Sequence, residues 1–255
     1  MGNNECTGSF DKLRDQFNRR SDTFDTSANW ITDSRLISAH VELSGLSNGA
    51  LLEICCGTGR VGRALKEKGW EVTGLDICDS MLEKAGKYFS ARNGKAEELP
   101  FGDASFSAVV CRQSFQFLDS MKVLGEVKRV LRPKGVFVMS LTVPFSDKDK
   151  DWLRHIHKTK QPLLLKFYDK ETLARELERY GFRIEEERTL TVRESINKWM
   201  EFAPELSSEV KNNVISLVRD SPPEYKELHN VGVVKGEVFE DWNWVVFRAG
   251  VAERA

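Results

Sequence analysis

Leu51-Leu52-Glu53-Ile54-Cys55-Cys56-Gly57-Thr58-Gly59-Arg60-Val61-Gly62 decides how the rest of this chain is read. The apolar opening predicts a strand over Ala50 to Cys55, the glycines a tight turn, and the segment after them a helix. Glycine lets the backbone approach a ligand closely. A helix N-terminus adds unpaired N–H groups and positive dipole character. The stretch therefore points to a nucleotide-like ligand without choosing one, because Gly57-x-Gly59-x-x-Gly62 also fits the dinucleotide fingerprint.

Working outward, the helix runs to about Lys68, with Gly69 as its C′ residue. Trp70 to Ile77 is a second strand. Asp79 or Ser80 caps a helix to about Ala91, with Ser80 and Glu83 in capping-box spacing. A short third strand lies near Ala96 and a fourth over Ser107 to Arg112. Residues 120 to 131 are an amphipathic helix, Pro133-Lys134-Gly135 a turn, and Val136 to Val143 an apolar fifth strand. A helix from Asp169 to Tyr180, a strand over Phe182 to Val192, helices within 195 to 219 broken near Pro204, and a strand over Val238 to Ala249 complete the pattern. Towards the N-terminus, residues 9 to 45 lean helical, and Gly45 and Asn48-Gly49 break the pattern. Strands alternating with helices predict a doubly wound, mostly parallel α/β sheet, whose ligands sit at the carboxyl ends of the strands.

Composition narrows the function. The 255 residues are 40% hydrophobic and 30% charged, with a formal net charge of -1. That balance is ordinary for a soluble globular protein and gives no electrostatic reason to expect nucleic acid as the main partner. No apolar run is long enough to span a membrane, and the polar start Met1-Gly2-Asn3-Asn4 lacks a signal-peptide core. Five cysteines, mostly in predicted strands, argue against a disulfide framework and for a reduced, cytoplasmic protein.

Four features fall on one rim of the predicted sheet: Glu53, Asp76 at the end of the second strand, Ala96-Glu97-Glu98-Leu99-Pro100-Phe101, and Cys111-Arg112-Gln113. A carboxylate at Asp76 can accept both hydroxyls of a ribose; the plainer reading is a helix cap or a solvated acid. Glu53 lies inside an apolar strand, where a carboxylate needs a partner. It can order the loop backbone, attract a cationic amino group, or face solvent at a sheet edge.

Together these residues resemble the class I S-adenosylmethionine-dependent methyltransferases. The resemblance runs through Glu53-Ile54-Cys55-Cys56-Gly57-Thr58-Gly59, Gly74-Leu75-Asp76-Ile77, Ser80-Met81-Leu82, Glu97-Glu98-Leu99-Pro100-Phe101 and Leu131-Arg132-Pro133-Lys134-Gly135. It covers residues 50 to 143 and is nearest to small-molecule enzymes of the ubiquinone and menaquinone biosynthesis type. It implies a seven-stranded Rossmann-like sheet with the last strand antiparallel, S-adenosylmethionine as cofactor, and a small, apolar or aromatic methyl acceptor as substrate. A helical cap would combine residues 1 to 45, 144 to 168 and 195 to 236, the last two as insertions in a methyltransferase domain spanning 46 to 255.

The same resemblance implies roles. Glu53 organises the methionine end of the cofactor, and Gly57 and Gly59 let the backbone pass beneath it. Asp76 binds the ribose, with Ile77 and Met81 against the adenine and Ala96 and Glu97 at its edge. Cys111 lies near the methionine moiety at the mouth of the substrate cavity. Three positions depart from the family pattern. Cys55 stands where the family has glycine, which makes a positive φ costly there. Lys95 replaces a frequent acid, and Ser107 a frequent aspartate. A nicotinamide-dependent oxidoreductase shares the glycine spacing but leaves Glu53 and the Glu-Glu-Leu-Pro-Phe stretch unexplained. A non-catalytic cofactor-binding protein on the same scaffold is the other alternative.

The remaining signals are bland. Cys55-Cys56 could hold a metal or form a redox pair, but adjacent strand residues face opposite ways, which favours packing. His155 and His157 sit two apart on a predicted helix, so they do not share a face, and a surface role is the default. With Tyr168 they are the candidates for a general base, needed only if the acceptor arrives protonated. His40 and His229 have no visible context. The charged run Asp147-Lys148-Asp149-Lys150-Asp151 reads as a solvated loop. The apolar residues Trp199, Met200 and Ala203 read as core, or as the wall of an apolar cavity.

Overall fold

A computed structural model describes residues 3–45 and 49–252, with side chains from residue 10 onward. Asn48, expected to break the chain before the first strand, lies outside the described residues. The strands are β1 (Ala50–Ile54), β2 (Glu71–Asp76), β3 (Ser90–Asn93), β4 (Phe106–Arg112), β5 (Leu131–Thr142), β6 (Phe182–Ser195), β7 (Gly232–Val234) and β8 (Glu237–Val251). They form one sheet in the order β3-β2-β1-β4-β5-β8-β6, with β7 paired to β8 alone. The pairs from β3 through β5 are parallel, and β8 runs antiparallel between β5 and β6. The sheet thus holds eight strands, one more than expected; the added β7 is a three-residue arm of a hairpin.

Helices α1 (Asn3–Arg20), α2 (Ser34–Ser44), α3 (Arg60–Glu67), α4 (Asp79–Ala85), α5 (Ser120–Val130), α6 (Lys150–Lys160), α7 (Lys170–Arg179), α8 (Ile196–Glu201), α9 (Ser208–Arg219) and α10 (Pro223–Leu228) cover it. Alternate strand residues face two separate cores, as period-two geometry dictates. Leu51, Ala108, Val110, Val138 and Val246 pack with Leu36 of α2, Val61 and Leu65 of α3, and Ala85 of α4. Leu52, Ile54, Val109, Met139 and Phe247 pack with Leu124 and Val127 of α5 and Leu173 and Leu177 of α7. Apolar residues on both sides of each strand explain why the central strands read as continuous apolar runs.

Several local expectations are corrected. The helix after β2 is capped at Cys78 without a side-chain bond, so Ser80 is no N-cap, and the helix stops at Ala85. Ser80 instead donates to Asn18 Oδ1 (2.7 Å), tying α4 to α1. The third strand lies at Ser90–Asn93, ahead of Ala96. Pro133-Lys134-Gly135 sits inside β5, where Lys134 takes a φ of 64° and the pairing with β4 shifts register. The charged run is not simply solvated. Asp149 is fully buried and accepts bonds from the amides of Phe145 and Ser146 and from His229 Nε2 (2.9 Å). His40, also fully buried, bonds Leu36 O and Ser140 Oγ, joining α2 to β5.

Candidate functional site

β1 lies between β2 and β4, and the order of the strands reverses there. That reversal opens a crevice above the carboxyl ends of the parallel strands. A cavity fills it, floored by Glu53, Gly57, Asp76 and Arg112 and roofed by residues from α1, the segment 24–31, α6 and α8.

The glycine turn is held from beneath. Cys56 N donates to Leu75 O at 3.1 Å, fastening the turn to β2, and Gly59 N donates to Cys56 O at 2.9 Å. Gly57 and Gly59 have φ of 52° and 82°. Gly57 and Thr58 face the cavity; Gly59 does not, and a Cβ there would strike Phe89 at 2.8 Å. Gly59 therefore serves the N-terminus of α3 rather than the ligand surface. Cys55 also has positive φ, 53°, at a cost of about 1 kcal/mol for a residue with a Cβ. The adjacent Cys111 thiol and burial push the Cys55 thiol well up, so it stays protonated. Cys56 points to the other face and packs against the Cα of Gly74, so the two cysteines diverge. Among the described residues no group of three metal-ligating side chains occurs.

Glu53 is 3% exposed and accepts the amide hydrogen of Gly62 at 2.9 Å. A Cβ on Gly62 would stand 2.4 Å from that carboxylate oxygen. The third glycine of the fingerprint thus makes room for an acid. Burial pushes the Glu53 carboxyl up to about 8, against the pull of Arg112 and the Gly62 bond. Asp76 braces the turn with both oxygens: Oδ2 accepts from Gly57 N (2.9 Å) and Oδ1 from Cys78 N (3.0 Å). Burial outweighs these bonds and raises its pKa. Each oxygen retains capacity for a further donor on the cavity side.

Ile77, Met81, Ala96 and Glu97 line the adjoining wall. Glu97 Oε1 accepts from Asp119 N at 3.2 Å, while its Oε2 is buried with no partner among the described residues. Lys95, the departure next door, places its ammonium 4.6 Å from the Phe10 ring.

Two residues were not assigned from the sequence. Asp25 clamps the glycine turn from above, accepting from Thr58 Oγ1 (2.5 Å) and Arg60 (2.7 Å). Its remoteness in sequence left no signal. Arg112 bonds Ile31 O (3.2 Å), lies 5.1 Å from the Trp30 ring centroid, and is lowered to about 10 by burial despite Glu53 and Asp25. The expectation for Cys111 is corrected with it. Cys111 is fully buried on the opposite face of β4, and Arg112 faces the cavity. Alternation carried the signal, because Val110 pairs with Glu53 and Arg112 shares its face.

The far end of the cavity is aromatic. Trp199 and Trp242 meet edge to face at 4.8 Å, and His157 lies 6.0 Å from each and from Phe167. The surface role expected of His157 is therefore corrected: it is enclosed in this wall. Burial and then Lys160 lower it to about 3, so its imidazole is neutral. His155 is exposed beside Trp152 and does not reach the cavity. Tyr168 is 2% exposed against Phe115, on a small side pocket behind Gln116. Of the three candidate bases, the fold brings only His157 to the site.

Comparison with known proteins bears on this geometry. Residues 52–139 match the family described as methyltransferase domain. Demethylmenaquinone methyltransferase of Thermotoga maritima is 40% identical over 104 residues, which is 38% of this chain and 45% of that protein. The match thus spans about half of that relative's length. A Bacillus halodurans structure assigned as a methyltransferase superimposes with a TM-score of 0.76 at 20% identity, covering 85% of this chain and 99% of the other. Geranyl diphosphate methyltransferase, solved with S-adenosylmethionine, gives 0.60 at 15% identity, covering 86% of each chain. No helix among the described residues is long and apolar enough to cross a membrane.

Proposed function

We propose that this chain, a member of the class I S-adenosylmethionine-dependent methyltransferases by its domain at residues 52–139 and by its fold, moves a methyl group to a small apolar or aromatic acceptor by in-line displacement. One observation carries the reading. A single cavity joins the acid-lined glycine turn to the chamber of Trp199, Trp242 and Phe202. The donor set fits the cofactor. Buried Glu53 and Asp76, the unpartnered Glu97 Oε2 and the bare Cα of Gly57 suit a cationic ligand carrying amino and hydroxyl donors. Bound there, S-adenosylmethionine would supply a methyl group already activated by its positive sulfur.

The chain's own work is positioning. Asp76 fixes Gly57, Glu53 fixes Gly62, and Asp25 ties both Thr58 and Arg60, so the turn is set before any ligand arrives. Such preorganisation and orientation supply about 7–11 kcal/mol in well-built sites. Residues 10–31, 157–164 and 199–202 act as the cap that excludes water. Of the three candidate bases only His157 lines the cavity, and with burial lowering it to about 3 its neutral ring can accept a hydrogen bond from the acceptor but holds a proton poorly. The likeness to a demethylmenaquinone methyltransferase, limited to 38% of the chain, favours an acceptor of quinol or phenol type.

The test is calorimetric titration with S-adenosylmethionine and with NAD, then an isotopic methyl-transfer assay over phenols, quinols and aromatic acids. Binding of S-adenosylmethionine and label in a small acceptor is expected. Binding of NAD alone would establish an oxidoreductase. Cofactor binding without transfer to any acceptor would leave a non-catalytic scaffold.

A further inference from the structure

We infer that the methyl acceptor carries a carboxylate on its aromatic or apolar body, and that Lys160 receives that carboxylate. The inference rests on the methyl-transfer reading and names the substrate class of the same site.

Lys160 is the last residue of α6 and lines the cavity while only 6% exposed. The carbonyl end of a helix favours a cation there. Its Nζ lies 4.6 Å from the centroid of Trp199, so the charge sits against the aromatic wall. Among the described residues no carboxylate forms an ion pair with it. The acid that acts on it, Glu205, is committed to Arg20, whose Nε it accepts at 3.1 Å. Arg20, Glu205 and Lys160 together set one carboxylate against two basic groups.

Charge is divided along the cavity. Three acids, Glu53, Asp76 and Glu97, stand at the glycine turn with one cation, Arg112, and Lys160 and Arg20 stand at the aromatic end with Glu205 paired to Arg20. A cationic cofactor suits the first end and an anionic acceptor the second. Gln161 and Gln116 add buried carbonyl oxygens with no partner among the described residues, which can accept from a hydroxyl on the same molecule. The site suits a monoanion better than a phosphate. One basic group is in excess, and the backbone that α6 turns to this end is carbonyl rather than N–H, which disfavours a second negative charge. Burial, with Arg20 adding to it, pushes the empty-site ammonium well below its ordinary value, and the arriving carboxylate restores the missing counterion.

The test uses the full chain saturated with S-adenosylhomocysteine and titrated with 2-naphthoate, 2-naphthamide and 2-naphthyl phosphate. Wild type should bind the carboxylate about tenfold or more tightly than the amide, the scale of one charged hydrogen bond. Lys160→Met should abolish that preference and leave the amide unchanged, while Lys160→Arg should keep it. Equal binding of acid and amide by wild type, binding of neither, a preference that survives in Lys160→Met, or tighter binding of the phosphate would each overturn the inference. Titration of Lys160→Met with S-adenosylmethionine separates the two levels. Retained cofactor binding with no acid preference in wild type defeats this inference alone, whereas no cofactor binding in wild type defeats the methyl-transfer reading.

Discussion

The carboxylate of Glu53 reaches the amide of Gly62 across a space that only a missing side chain leaves open, 2.9 Å from oxygen to nitrogen. A methyl group at Gly62 would meet that oxygen at 2.4 Å and Phe89 at 2.6 Å. Gly62→Ala should therefore cost about 1–3 kcal/mol of stability and weaken cofactor binding through the displaced acid. Urea unfolding and calorimetry would read both effects; a variant equal to wild type in each would show that the contact is not needed.

Glu53 also sets a pH dependence. Its folded carboxyl is pushed up to about 8 from an ordinary 4.5. Between those values the folded state holds a proton that the unfolded state has released, so this group's stabilisation is complete below about 4.5 and lost as pH rises through 8. The stability difference between wild type and Glu53→Gln should fall steadily across that window. Affinity for a cationic cofactor should move the other way, rising in wild type as Glu53 ionises and staying flat in Glu53→Gln. Unfolding and binding measured at several pH values give both slopes.

Asp76 holds Gly57 and Cys78 by their amides and faces the cavity. Asp76→Ala releases the turn and removes the acceptor offered to a ribose. Cofactor affinity should drop roughly 10- to 100-fold, from the loss of one to two hydrogen bonds to a charged group. Calorimetric titration measures this directly, and unchanged affinity would place the ribose elsewhere.

Asp149 and His229 form a buried pair, with Asp149 also holding the amides that lead into α6. Burial pushes the Asp149 carboxyl up, but the His229 contact and the two amide bonds outweigh it and hold the group below its usual range. Asp149→Ala should destabilise the fold by about 3–5 kcal/mol, as removal of one member of a buried pair does. The midpoint of urea unfolding reports it.

What could be read from the sequence was what is local. Glu53, Gly57 and Asp76 lie in or just after strands that the short-range pattern marks, Ala96 and Glu97 came with the family resemblance, and all five line the cavity. Arg112 was within reach of the same logic, since alternation along β4 turns it, not Cys111, to the face of Glu53. Other contacts left no trace. Asp149 lies 80 residues from His229, so a buried pair looked like part of a charged loop. Asp25 lies 33 residues from Thr58 and is brought there only by the turns after α1. The roof of the cavity shares this limit: nothing local to Lys160 marks it, and only the packing of α8 sets Trp199 beside it.

The place of β8 has a consequence for how the molecule is made. Among the described residues β6 has no sheet neighbour except β8, and β8 is the last strand to follow it. On a ribosome, β1 through β5 can pair as they emerge, so the cofactor half is able to assemble first. β6 must wait, with its edge unpaired, until residues 237–251 are synthesised and slide between it and β5. The nascent chain therefore spends the translation time of α8 through β7 with its aromatic chamber unwalled, because Trp242 arrives only with β8.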